Sequence, residues 1–474
     1  MSRKPKAESR EPDSKPSTLD RAFALAFGLF LGLTIWKFGN PVILDEKILP
    51  PISFSEFLND PWPTHCANWI FLPLAIIGAF LALKNKSHWR ATKWLWLLPL
   101  LWFGWQMVSA TQTIDATLTA MTLWQFFGCV ACYFLGAFLF GTSRALNLLL
   151  IGILAAFAFC LVRAVDQRIF EFPQNRQMLM EGERENWINV PPEMFLQMKR
   201  DGVIISTNGM DVANPAMLRK FSTGRVMGAL VYPNALAGII LLLLPIALTL
   251  AFTKKIRPVI RIILIALTCF LGGGALFWSG SKLGWLIAMA LGGLCLFRFR
   301  WPVKLKVAAL ALILIFGLGI FAVRFHDYFS SGATSISARL DYWRAAVQTT
   351  ENNPLLGSGP GTFQHPYAQI KSPDAEMARL AHNDYLEQFS DSGIPGGIFY
   401  ASWIALVLAT IGRRVWKNGD SISFAIFTGL LGWFIQGIGE FSLYIPALAW
   451  TAFTLLGCLL VLTTNPFDKK LATG

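Results

Sequence analysis

Apolar runs of about 20 residues recur along the whole of this chain, and they constrain its fold more than any motif does. Of 474 residues, 54% are hydrophobic and only 15% charged, with 18 Trp and 38 Phe. A soluble domain cannot bury that much apolar surface, so lipid must be the solvent for most of the chain. The runs fall near Ala22–Phe38, Ala67–Leu83, Trp94–Ser109, Leu118–Phe140, Leu146–Val165, Met227–Phe252, Ile262–Trp278, Leu283–Phe297, Val307–Val323, Ile394–Gly412, Ile422–Ile438 and Tyr444–Leu462. They predict an all-α polytopic membrane protein with about twelve transmembrane helices. The first run follows a charged leader and shows no small-residue cleavage pattern, so it is expected to be a retained span.

Charge sets the expected orientation. The net charge of +13 resides mostly in short loops such as KNKSHWRATK, KKIRPVIR, RFRWPVKLK and RRVWKNGD. The positive-inside bias explains these without any nucleic-acid partner and puts both termini in the cytoplasm. The organisation expected is a cytoplasmic tail (1–21), N-terminal spans (22–165), a periplasmic insertion (166–223), central spans (224–323), a large periplasmic loop (324–393), C-terminal spans (394–463) and a cytoplasmic tail (464–474). Cys129 and Cys132 form a CxxC inside a span, where small packing residues are the plainer reading than a redox or metal pair.

The same topology puts Arg225, Lys282, Arg339, His382 and Glu440 on the outer side or at its edge. Titratable and glycine-rich pieces crowd between Ser337 and Gly396. Ser337 can cap a helix over Arg339–Thr350, with Arg339 and Trp343 on one face and Asn352-Asn353-Pro354 as its stop. A lone arginine at that level commonly snorkels to headgroups, whereas the sharper reading is a phosphate clamp made by its fork of donors. Gly357, Gly359 and Gly361 can make a tight turn or offer N–H groups to an anion, and His365 follows in a polar loop. AHNDYLEQF reads as a helix start with His382, Tyr385, Leu386 and Phe389 on one face. His382 is then either a proton acceptor near neutral pH or a loop-orienting residue, and Asn383 and Asp384 can act as caps. There is no DxD, P-loop, HExxH or GxSxG, which argues against nucleotide-driven chemistry.

In order along the chain stand Arg225-x-x-Gly228, Tyr232-Pro233-Asn234-Ala235, Ser281-Lys282-Leu283-Gly284, Arg339-x-x-x-Trp343, Pro354-x-x-Gly357-x-Gly359, His382-Asn383-Asp384-Tyr385-Leu386 and Gly393-x-x-Gly396. This ordered set resembles the O-antigen ligase superfamily, which includes O-antigen ligases, O-antigen polymerases and protein O-oligosaccharyltransferases. The resemblance implies a GT-C-like bacterial inner-membrane glycosyltransferase with its active site on the periplasmic side and no metal or other cofactor. Its donor would be a glycan on undecaprenyl pyrophosphate. Its acceptor would be a hydroxyl of lipid A-core, of another glycan or of a protein, with membrane lipids around it. His382 would then act on the acceptor hydroxyl, and Arg339, Lys282 and Arg225 would bind the pyrophosphate. Trp343, Asn383, Asp384, Tyr385, His365, Asp391, Glu440 and Asn234 would support them. Lys282 stands where the family has an arginine, Asp391 where it has a glutamate, and Glu440 where relatives carry an acid. A polymerase is the near alternative, and a lipid-linked glycan or anion transporter is the alternative of another class. Transporters place polar groups and inverted repeats at the bilayer midplane, whereas here the polar candidates cluster outside it.

Overall fold

The computed structural model describes residues 18–84, 93–253, 256–330 and 334–463. The leader 1–17, the basic stretch 85–92, Lys254 and Lys255, and the tail 464–474 lie outside the described residues. Each of the apolar runs forms a helix: Thr18–Lys37, Thr64–Lys84, Lys93–Ser109, Ala116–Leu139, Ser143–Asp166, Pro233–Ala251, Pro258–Ser279, Lys282–Arg298, Val303–Ser330, Asp384–Asn418, Ser421–Gln436 and Pro446–Leu462. Among the described residues, eight helices are long and apolar enough to cross a membrane. The helices Lys93–Ser109, Lys282–Arg298, Ser421–Gln436 and Pro446–Leu462 are shorter, at 16 or 17 residues. The chain is a multi-pass helical membrane protein.

Helices that are apolar all round either sit in the protein core or face lipid, and both kinds occur here. Pro446–Leu462 is buried from Pro446 to Val461, whereas Val303–Ser330 buries only Phe325. The central helix packs on Ala116–Leu139 where Gly136 faces the Thr454 carbonyl and Gly457 faces the Tyr133 carbonyl. Small residues let such backbones close up without a hydrophobic driving force between them. Gly28 and Gly152 do the same between Thr18–Lys37 and Ser143–Asp166.

The all-α expectation needs one correction. Within 166–223, after a π-helical turn at Gln167–Glu171, helices Phe172–Arg184, Pro192–Arg200 and Pro215–Thr223 surround an antiparallel hairpin, Ile204–Thr207 with Met210–Ala213. Asn208-Gly209, both at positive φ, makes its turn, the pairing that a two-residue hairpin favours. Leu179, Trp187, Met198, Ile204 and Ala213 form a small core of their own.

Three further boundaries move. The helix carrying Arg339 starts at Thr334, so Ser337 lies inside it and does not cap it, although it does end at Asn352. The run from Met227 becomes helical only at Pro233, leaving 224–232 as an irregular loop. Val303–Ser330 extends past Val323, so Arg324 is still helical.

Candidate active site

At one end of the bundle, Glu440 sits in the turn between Ser421–Gln436 and Pro446–Leu462, with its side chain only 4% exposed. Its Oε1 accepts from Arg339 Nη2 at 2.5 Å and from Asn234 Nδ2 at 2.7 Å. Its Oε2 has no hydrogen-bond partner and faces His382 Nδ1, also unpartnered, at 3.7 Å. Arg339 Nε is likewise buried without a partner. Unsatisfied buried groups are costly, and these three belong to side chains in contact with one another.

Local structure explains how these residues are held. Asn383 caps the Asp384 helix, accepting from the N–H of Tyr385 at 3.1 Å and of Leu386 at 3.0 Å. His382 therefore precedes the helix, with φ of 51°, and does not share a helical face with Tyr385, Leu386 and Phe389. Rings enclose the imidazole: Tyr342 at 5.8 Å, Phe441 at 4.7 Å and Tyr232 at 6.3 Å between centroids. The Glu387 carboxylate accepts the Ala381 N–H at 2.8 Å, just before His382. Asp384 fixes the other partner. Its N–H donates to the Gly437 and Glu440 carbonyls at 2.7 and 3.1 Å, and its carboxylate accepts the Leu443 N–H at 3.1 and 3.2 Å. Two buried carboxylates thus hold the His382 segment and the Glu440 turn in register.

Cations surround this pair. Arg225 donates from Nε to the Ser279 carbonyl at 2.8 Å and from Nη2 to Asn234 Oδ1 at 3.0 Å, so Asn234 bridges it to Glu440. Burial lowers the Arg225 pKa below its usual value, opposed by Tyr232 and Glu440, yet a guanidinium stays charged throughout the physiological range. Its loop is clamped by Gln167, whose side chain accepts from Met227 and Gly228 and donates to the Gly228 carbonyl, each at 2.9 Å. Lys282 begins its helix after the Gly280-Ser281 turn and lies over the rings of Tyr328 at 3.6 Å and Phe325 at 5.2 Å. The positive fields of Arg225, Arg339 and Arg324 all reach it.

Other expected site residues lie elsewhere. Asp391 is buried away from His382, accepting the Gly361 N–H at 2.7 Å and the Tyr444 hydroxyl at 3.1 Å. The glycine turn is folded onto protein: Gly357, Ser358 and Gly359 donate to the carbonyls of Asn353, Ser390 and Asp391 at 2.9, 3.1 and 2.9 Å. Those N–H groups are therefore not presented to an anion. His365 pairs with Asp115 at 3.0 Å, Tyr385 donates to the Phe434 carbonyl at 3.1 Å, and Trp343 Nε1 is buried without a partner. Arg324, Tyr342 and Phe441 were not singled out by the sequence reading. Arg324 alone gives a signal there, as a charge in the last turns of an apolar helix.

Fold and site together define a polytopic helical membrane protein with a carboxylate, an imidazole and four cations gathered at one end of its bundle. The family model described as O-antigen ligase matches residues 267–401, in agreement with the superfamily that the motifs resemble. The match points to glycosyltransferase activity of the ligase or polymerase type. It contains Lys282, Arg339, His382 and Asp391, while Arg225, Asn234 and Glu440 lie outside it. No curated protein matches the chain.

Proposed function

We propose that this protein is an inverting glycosyltransferase of the O-antigen ligase type, moving a glycan from undecaprenyl pyrophosphate to an acceptor hydroxyl at the periplasmic face of the inner membrane. The observation that carries this reading is the buried Glu440, shared by Arg339 and Asn234 and facing the His382 imidazole at 3.7 Å. Arg339, Arg225, Lys282 and Arg324 supply fixed positive charge where a diphosphate would leave. Preorganised charge at a low-dielectric edge stabilises that departure without reorganisation at the moment of reaction. The Nδ1 atom of His382 is buried toward Glu440, while its side chain keeps 23% exposure, so the reachable part of the ring lies on its other atoms.

In the step proposed, the acceptor oxygen attacks the anomeric carbon and its proton passes to His382. The carbon–oxygen bond to the diphosphate breaks, and the diphosphate leaves with the bonding pair into the cation cluster. Glu440 stabilises the imidazolium that forms. Direct displacement inverts the anomeric centre.

An apolar groove of about 400 Å³, lined by Phe277, Ile315, Phe316, Ile320 and Val323, ends at Arg324 and suits the prenyl tail. The basic turn at Arg298, whose guanidinium donates to the Trp416 and Gly419 carbonyls at 3.2 and 2.6 Å, lies at the far end of the Lys282 helix. That asymmetry supports an outward-facing site.

The test is a deletion strain complemented with wild type, Arg339→Ala or His382→Ala. Loss of all long lipopolysaccharide bands with lipid-linked glycan accumulating supports the ligase, and a single-repeat band would move the assignment to a polymerase. Unchanged glycans in the deletion strain would remove the enzyme reading altogether.

A further inference from the structure

A second hollow opens on the opposite face of the Ala116–Leu139 helix from the one that meets the candidate active site. One face of this helix packs on protein: Gln125 donates to the Leu443 carbonyl, in the turn that carries Glu440, at 2.8 Å, and Thr119 to the Pro360 carbonyl of the glycine turn at 2.9 Å. The other face, Ala116, Thr117, Ala120 and Trp124, forms one wall of a cavity of about 660 Å³. The start of the Thr64–Lys84 helix forms the other wall with His65, Asn68 and Trp69. Trp69 and Trp124 are 75% and 46% exposed, one from each helix, so their indoles flank the space.

The polar groups of this hollow are oriented. Asp45 is buried, accepts the backbone N–H groups of Thr64 and His65, and lies 2.8 Å from His65 Nδ1. That contact fixes the imidazole, whose side chain is 62% exposed, and leaves its second nitrogen for a ligand. Asn68 and Thr117 add an amide and a hydroxyl. Among the described residues, no lysine or arginine lines the cavity. A diphosphate or a phosphate headgroup would meet a carboxylate and no cation there. Two aromatic faces beside a carboxylate, an imidazole, an amide and a hydroxyl suit a ring that is apolar on its faces and hydroxylated at its rim. The volume falls within the roughly 300–1,000 Å³ usual for small-molecule sites.

We propose that this hollow is a saccharide subsite that holds neutral sugar rings of the glycan or acceptor one helix away from the reacting centre. The assignment rests on the glycosyltransferase reading for the identity of its ligand, but its test does not depend on turnover. The probe is the surface glycan of the native host, released by mild acid, fluorescently labelled and titrated against the full-length protein in detergent micelles. Binding is expected for wild type. The double variant Trp69→Ala/Trp124→Ala should bind at least tenfold more weakly, while Trp69→Phe, which retains a stacking face, should bind within about threefold of wild type. No glycan binding to wild type, or unchanged binding to the double variant with a native melting profile, overturns the subsite. So does native mass spectrometry showing a phosphatidylethanolamine molecule retained by wild type and lost from the double variant, which would make the hollow a lipid site. If the subsite stands while His382→Ala still transfers glycan, the proposed mechanism fails and this inference does not.

Discussion

Replacing Glu440 by Gln, alone and together with His382→Ala, tests whether the two side chains act as one unit. The substitution keeps the shape of Glu440 and one acceptor oxygen for Arg339 and Asn234, but removes the charge facing His382. At the 3.7 Å separating Oε2 from Nδ1, a carboxylate and an imidazolium attract by about 4 kcal/mol at an effective dielectric of about 20. This attraction exists only once the imidazole has taken a proton, so it lowers the barrier without tightening substrate binding. Converted to rate, it sets a ceiling of about 10³-fold. We expect Glu440→Gln to lower kcat by roughly 10²- to 10³-fold and His382→Ala by roughly 10²- to 10⁴-fold. The double variant should fall within about threefold of the worse single variant, because Glu440 has nothing to stabilise once the imidazole is gone. The assay is transfer from purified lipid-linked glycan in proteoliposomes, with folding checked by melting temperature and monodispersity. Multiplicative losses in the double variant would refute the coupling, and Glu440→Gln retaining a third of wild-type kcat would refute the role of its charge.

Arg324→Ala should raise the KM for the lipid-linked donor about tenfold with a smaller change in kcat, and Arg324→Lys should restore part of it. Steady-state kinetics on donor would show otherwise if Arg324 only faces lipid. Lys282→Arg should keep activity, because the cation survives and a guanidinium also stacks on the Tyr328 ring; an inactive variant would mean that the ammonium geometry matters. Gly393→Ala should destabilise the protein by more than about 1 kcal/mol, since φ of 69° with ψ of −176° is nearly reserved for glycine and a Cβ would run into the Pro354 and Leu355 carbonyls. Thermal unfolding by intrinsic fluorescence would read this directly. Asp115 accepts the N–H of Leu118 and Thr117 and pairs with His365, which holds its pKa below the ordinary value. Its unfolded value is about 3.9, so its contribution is full above that pH and disappears as the pH falls through the lower folded value. Asp115→Asn should therefore be less stable than wild type near neutral pH, with the gap narrowing only in acid; a gap that widened on acidification would refute the sign.

The apolar runs determined by themselves that lipid is the solvent, because no soluble core could take them, and they located every long helix, although Val303–Ser330 and Asp384–Asn418 run well past the apolar stretches that mark them. The ordered motifs likewise marked Arg225, Arg339 and His382. Local rules also sufficed where the signal is local: Asn383 as a cap and Asn352-Asn353-Pro354 as a stop. The Asn208-Gly209 hairpin was missed, because it sits in a segment whose charged composition hides its short strands.

Only the tertiary structure decided what meets what. Asn234, Arg339, His382 and Glu440 come from four separate segments, and no periodicity reports that Glu440 is their common partner. Asp391 reads from the motifs as a supporting site residue, yet long-range hydrogen bonds turn it inward onto the glycine turn. Burial at a site is a property of neighbours brought from far along the chain. Spacing within one helix or loop records only the face a residue could present, not the groups that will face it.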